Sequence, residues 1–206
     1  MVIDFLIILI VILVLFCIQF ITHKSYSYAK KHPKLYNIIE WADGLYWDIT
    51  IFITPLLIQP RIQDINIRIL LTVIGLIIGG FGLYLMVEFV ITNKNIGKTE
   101  MEDLYTDGVY GFVRHPGYLG IIFMFIGWSF IWKAVYCIIL SPLILLHVIW
   151  VSKFEEKIIL SPQFGEEYGI YKKNTPAFFR LSIIITFIGL ISLVMILFLL
   201  GKFPIT

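Results

Sequence analysis

Three short stretches hold the residues that could do chemistry: Arg114-His115-Pro116-Gly117-Tyr118-Leu119-Gly120, then Glu155-Glu156, then Phe164-Gly165-Glu166-Glu167-Tyr168. A guanidinium and an imidazole suit an anion, and paired carboxylates suit an ammonium. Aromatic faces attract cations, a sulfonium included. The chain around them is 59% hydrophobic, and polar groups kept beside apolar helices are by default a functional site.

Each group has a plainer reading. Pro116 disfavours helical geometry at His115 and suits the first turn of the next helix. Arg114 and His115 then lie at a helix mouth whose free amides attract anions, or they are basic anchors at the headgroup level. Glu155 and Glu156 fall at the far end of a second helix, antiparallel to the first, so Glu156 and His115 are expected to be neighbours. Charge pairing does not decide between a surface ion pair of little worth and a grip on the ammonium of an amino-acid-like cofactor. Phe164, Tyr168 and Tyr171 recur at helical spacing, with Phe178 and Phe179 beyond Pro176, as in an amphipathic helix on a membrane. Tyr105, Tyr110 and Tyr118 add aromatic surface. Glu88, one turn inside its span, either faces the site or pairs with Lys94. His147 is expected to make a helix-packing hydrogen bond, and Asp48 receives no role.

The elements that must position these residues are membrane helices. Apolar runs of about 20 residues can span a bilayer, and 2–22 and 67–92 qualify. Residues 45–58 form a shorter run interrupted by Asp48 and Pro55, with Trp41 and Trp47 as expected interfacial anchors. Residues 118–154 are apolar for two lengths, broken at Trp132-Lys133, and 181–200 make a sixth span. The 2–22 run lacks the basic leader and small-residue cleavage site of a signal peptide and is expected to be a retained helix. The expected class is an all-α integral membrane protein with about six transmembrane helices, a hairpin at 117–154 and a cytoplasmic carboxyl-proximal segment. It divides into a three-helix region 1–92, a core 93–180 and an added helix 181–206.

With the amino terminus outside, 12 Lys and Arg fall on cytoplasmic segments (Lys24, Lys30, Lys31, Lys34, Lys94, Lys98, Arg114, Lys153, Lys157, Lys172, Lys173, Arg180). Four fall on the other side (Arg61, Arg68, Lys133, Lys202). The positive-inside rule then places 93–116 and 152–180 together on the cytoplasmic face. Gly75-x-x-x-Gly79, with Gly80 and Gly82, reads as a close helix-packing face rather than a nucleotide loop, and no strand-loop-helix pattern of a doubly wound domain occurs. Cys17 and Cys137 sit in apolar runs without metal-like spacing. A net charge of +2 gives no sign of a nucleic-acid partner.

Gly108-Val109-Tyr110-x-x-x-Arg114-His115-Pro116-x-Tyr118-x-Gly120, Glu155-Glu156 and Phe164-Gly165-x-x-Tyr168-x-x-Tyr171-x-x-x-x-Pro176 together resemble the isoprenylcysteine carboxyl methyltransferases. The membrane phospholipid N-methyltransferases share much of this pattern. The resemblance implies S-adenosylmethionine as methyl donor, bound in a cytoplasm-facing pocket roofed by the carboxyl-terminal segment. It also implies a lipophilic or prenylated substrate entering from the bilayer. The family's cofactor positions fall on His115, Pro116, Gly117, Tyr118, Tyr110 and Glu156, on Glu102, Asp103, Leu104 and Tyr105, and near Asn95. Arg114 and Glu155 become the expected catalytic pair. The Arg that relatives carry one turn before the cofactor Glu is replaced by Ser152 with Lys153 beside it, and these are the expected substrate contacts. Lys cannot give the bidentate fork of Arg. Relatives also carry His where this chain has Glu102, and their closing Pro-x-x-Phe-Pro is reduced to Pro176-Ala177-Phe178-Phe179.

A rival pattern is the NADPH-dependent sterol-type membrane reductases, which share an Arg-His-x-x-Tyr-x-Gly but continue with Asn-Tyr-x-Gly-Asp and a later Arg-Asp-Glu. This chain has Gly117-Tyr118-Leu119-Gly120-Ile121 and Lys153-Phe154-Glu155-Glu156 at those places. A transporter would show internal repeats or paired broken helices, and neither occurs.

Overall fold

The computed structural model describes residues 2–29, 32–96, 104–178 and Leu190. Among these the protein is helical, with one isolated bridge between Arg61 and Ala134. Helix α1 spans Val2–Ala29 and α2 spans Pro33–Asp48, continued by a π-helical turn Ile49–Ile53 and a 3-10 turn Thr54–Leu56. Then come α3 (Ile65–Ile96), α4 (Pro116–Trp132), α5 (Val135–Glu155), a second π-helical turn Glu156–Leu160, and α6 (Ser161–Asn174). The expected sixth span, 181–200, lies outside the described residues apart from Leu190.

Three helical stretches, Ile3–Ser25, Ile65–Thr92 and Val135–Asn174, are long and apolar enough to cross a membrane, and Pro116–Trp132 is a shorter apolar helix. Their outward faces are apolar: Ile7, Ile10 and Val14 on α1 and Ile69, Leu76 and Ile77 on α3 are exposed. Water would not tolerate such continuous surfaces. The molecule is a membrane protein.

Because lipid tails are as apolar as side chains, helices in a bilayer associate by close packing rather than by hydrophobic expulsion. The α3–α4 seam does this with glycine on both sides. A methyl group added to Gly75 would lie 2.7 Å from the Gly127 carbonyl, and one on Gly82 would lie 2.7 Å from the Met124 nitrogen and 2.8 Å from the Gly120 carbonyl. Gly79 faces Gly127, whereas Gly80 points into open space. The small-residue face read from the sequence is therefore present, with Gly80 outside it.

The hairpin is also as expected. Pro116 opens α4 after a non-helical His115, and Lys133, in the left-handed conformation at φ 57°, closes it. The chain turns through Ala134 into α5, and Phe125, Ile126, Ile138, Ile144 and Val148 form the packed interior.

Three details differ from the expectations. The second helix begins at Pro33 rather than near residue 45, because Pro at its first turn starts it early. Of its two expected interfacial anchors, Trp41 is exposed but Trp47 is buried, packed on Tyr46, Tyr118 and His147. Finally, α6 is kinked: Gly165 has φ 54°, ψ −124°. This left-handed backbone is open to glycine at little cost, and it removes Phe164 from the helical register of Tyr168 and Tyr171.

Candidate active site

The site forms where the amino end of α4 meets the carboxyl end of α5, as antiparallel pairing requires. Arg114 donates through Nε (3.0 Å) and Nη2 (2.7 Å) to Oε1 of Glu156. His115 Nε2 contacts the same oxygen at 3.0 Å, and its Nδ1 lies 3.7 Å from Oε2 of Glu155. Lys172 Nζ donates to Oε2 of Glu156 at 2.6 Å. Glu156 is buried and surrounded by three basic side chains. Leaving the buried Glu156 carboxylate unpaired would cost several kcal/mol.

A roof closes over this cluster. The Arg114 backbone N–H donates to the Pro176 carbonyl (2.9 Å) and that of His115 to the Ala177 carbonyl (3.2 Å). Arg114 Nη1 donates to the Lys172 carbonyl at 3.1 Å and also to the Thr175 carbonyl. These are the unpaired carbonyls at the end of α6, which need donors. Tyr171 donates from its hydroxyl to the Tyr110 carbonyl at 2.6 Å, fastening α6 to the 3-10 turn Gly108–Gly111. Burial pushes the Tyr110 phenol well above its ordinary range, with Glu155, Tyr171 and Tyr105 adding to the shift. Tyr110 therefore stays neutral at physiological pH.

Aromatic rings line the cluster. His115 lies 5.8 Å from Tyr118 and 5.9 Å from Phe178, Tyr105 5.8 Å from Tyr110, and Tyr168 6.1 Å from Tyr171. The Tyr168 hydroxyl is buried without a hydrogen-bond partner.

Most of the expected residues that are described converge here: His115, Pro116, Gly117, Tyr118, Glu155 and Glu156 lie together, with Tyr110 and Tyr105 beside them. Leu104 is half-buried at the start of the described loop. Asn95 is in the last turn of α3, but its side chain lies outside the described residues, as do Glu102 and Asp103. Arg114 differs from expectation. Its guanidinium faces inward to Glu156 and the end of α6 rather than lying as a basic anchor at the headgroup level, because those carbonyls and that carboxylate take its donors. Ser152 is buried with its hydroxyl donating to the Ile149 carbonyl at 3.0 Å, and Lys153 is exposed. Glu88 is half-buried on α3.

Sequence reasoning missed Lys172, which it counted only as a cytoplasmic cation. It also missed a polar cluster behind Glu155. Gln19 Nε2 donates to Asp43 Oδ1 at 3.0 Å, and His147 Nε2 meets Gln19 Oε1. The helix-packing hydrogen bond expected of His147 is thus present. Gln19 and His23, four residues apart in an apolar helix, were the available signal.

Residues 68–167 match the family model described as phospholipid methyltransferase. Protein-S-isoprenylcysteine O-methyltransferase of Mus musculus is 35% identical over 79 residues, which is 38% of this chain and 28% of the relative. The Homo sapiens and Rattus norvegicus proteins of the same name match at the same identity over the same shares. The match thus spans 28% of the length of these relatives. No solved structure matches. Over these segments the chain is similar to the phospholipid methyltransferase family and to the protein-S-isoprenylcysteine O-methyltransferases.

Proposed function

We propose that this chain is a multi-pass membrane methyltransferase that takes its methyl group from S-adenosylmethionine and passes it to a lipophilic acceptor reaching the site from the bilayer. The 93–180 region would be its core, facing the cytoplasm by the Lys and Arg distribution. The observation that carries the reading is Glu156 Oε2, a buried carboxylate oxygen already holding an ammonium, that of Lys172, at 2.6 Å.

The residues fit the donor molecule. Its α-ammonium has a partner in Glu156 once Lys172, which is half exposed, swings away. Its polar groups have the unpartnered Tyr168 hydroxyl and the opening amides of α4. Its cationic sulfur has the faces of Tyr118, Tyr110 and Phe178, which attract positive charge. When bound, it supplies a methyl group activated by a sulfonium.

The chain's own work is then orientation and the exclusion of water. Arg114 and His115 fix Glu156 in place, and the hydrogen bonds from Arg114 and His115 to Pro176 and Ala177 hold the roof. Holding two reactants aligned at near-attack distance is a large part of the rate enhancement such a site can give. Ser152 and Lys153 offer no guanidinium, so where relatives carry an Arg this chain has no bidentate partner for a prenylcysteine carboxylate. The phospholipid methyltransferase match supports keeping amine-bearing lipids among the acceptors.

Calorimetry of S-adenosylhomocysteine binding to the detergent-purified protein tests this, with NADPH as comparator. Micromolar binding that Glu156→Gln abolishes is the expected result. Binding of NADPH without the homocysteine compound would overturn it.

A further inference from the structure

The groups proposed to hold the donor are shut in. The side chains of Arg114, His115 and Glu156 are 8%, 4% and 5% exposed, and Tyr168 beside them is buried. They are covered by α6 and the residues that follow it to Ala177. A molecule as large as a nucleoside carrying an amino acid reaches Glu156 only if that cover moves.

The cover is pinned at two places. At its start Gly165 breaks the helix, with φ 54° and ψ −124°, and Gln163, Glu166 and Glu167 around the break are exposed. A methyl group on Gly165 would meet nothing within 4 Å, so no packing fixes the angle there. At its end Phe178 belongs to the apolar core. Between these points Tyr168 and Tyr171 are buried but stand outside that core, and α6 packs chiefly on the π-helical turn before it.

Polar bonds hold the cover down instead. The Tyr171 hydroxyl donates to the Tyr110 carbonyl. Arg114 and His115 donate from their backbone N–H groups to the Pro176 and Ala177 carbonyls, and Arg114 Nη1 reaches the Lys172 and Thr175 carbonyls. Lys172, Lys173, Asn174 and Pro176 around them are exposed, so water can replace each partner when a bond opens, and the net worth of each is small. Segments fastened by such bonds, with few apolar contacts, open locally long before the whole protein unfolds. The Lys172 ammonium has a further effect: it occupies the Glu156 oxygen that the donor's ammonium needs.

We propose that residues 166–177 are a strap that swings between Gly165 and Phe178 to admit and release the donor from the aqueous side, and that Lys172 latches it over the empty pocket. The identity of the donor rests on the methyltransferase reading above; the strap does not. Opening breaks the Lys172–Glu156 pair and the main-chain bonds together, because all of them cross the same gap. On closing, Glu156 has exchanged Lys172 for the donor's ammonium, and the bonds from Arg114 and His115 to Pro176 and Ala177 form again above it. Lys172, already half exposed, turns to solvent.

Hydrogen–deuterium exchange resolved to single amides, on the full chain in nanodiscs without ligand, tests this. The Arg114 and His115 amides, whose acceptors are strap carbonyls, should exchange at one common rate, roughly a hundredfold faster than amides in the middle of α4 and α5. Lys172→Ala removes the latch and should speed both about threefold. Gly165→Ala strains the hinge without a clash, since a left-handed residue disfavours a side chain, and should speed both while the middle of α4 is unchanged. Saturating S-adenosylhomocysteine should slow both roughly tenfold or more. Exchange as slow as in the middle of α4 would overturn the strap. So would fast exchange that ignores both substitutions, which is fraying of the first turn of α4. Absence of S-adenosylhomocysteine binding would instead remove the methyltransferase reading, and the ligand-free rates would still decide the strap.

Discussion

The two ends of the α4–α5 hairpin bury polar groups in opposite ways. At the turn end, Gln59 accepts the backbone N–H groups of Tyr136 (3.0 Å) and Cys137 (3.3 Å) at the start of α5 and donates to the Pro55 carbonyl at 3.1 Å. Beside it Arg61 donates to the Trp132 (2.7 Å) and Pro55 (3.0 Å) carbonyls. Side chains there satisfy the main chain. At the other end Arg114, His115, Lys172, Glu155 and Glu156 are directed chiefly at one another, and the Tyr168 hydroxyl is left over. A staple whose bonds are made by backbone has nothing to offer a ligand. A cluster of mutually paired charges can exchange one partner for a ligand's group, as the proposed function requires of the second end.

That contrast can be broken by substitution. Glu156→Gln leaves the buried Arg114 guanidinium without its anion, and such losses cost about 3–5 kcal/mol. It should lower the melting temperature clearly and remove S-adenosylhomocysteine binding; a variant with both intact would erase the distinction between the ends. Gly127→Val forces a side chain into the α3 backbone, and overpacking of this kind costs about 1–3 kcal/mol. It should weaken the fold measured by thermal melting while leaving cofactor affinity per folded molecule near normal.

Gln59→Leu strands the Tyr136 and Cys137 amides, about 1–3 kcal/mol for each unsatisfied group. The contrast predicts unchanged cofactor affinity, so a tenfold fall would show that the staple end also shapes the site. The smallest change in stability belongs to Lys172→Ala, below about 1 kcal/mol because the ammonium is half exposed and screened. Since Lys172 would compete for Glu156, its removal should tighten S-adenosylhomocysteine binding severalfold in calorimetry. Weaker binding would mean that Lys172 itself contacts the ligand.

The hairpin and the meeting of His115 with Glu156 were legible in the sequence because Pro116, two apolar lengths and a break at Trp132-Lys133 dictate an antiparallel pair. The glycine seam was legible for the same reason, since spacing alone puts Gly75 and Gly79 on one face. The inward turn of Arg114 was not, because it depends on where the carbonyls of Lys172 and Thr175 arrive after the Gly165 kink. Nor was the His23–Asp43 pair. It joins two helices whose relative rotation is set by packing, and Trp47 misled for the same cause: a tryptophan beside a span reads as an anchor until its neighbours are known.

The main-chain bonds from Arg114 and His115 to Pro176 and Ala177 also bear on biogenesis. The hairpin emerges from the ribosome and can enter the bilayer before residues 172–177 exist. Until they do, Arg114 lacks its carbonyl acceptors and Glu156 lacks Lys172. The nascent protein therefore assembles its greasy scaffold first and its charged chamber last, so a stall or cleavage after α5 would release a well-inserted but empty-handed molecule.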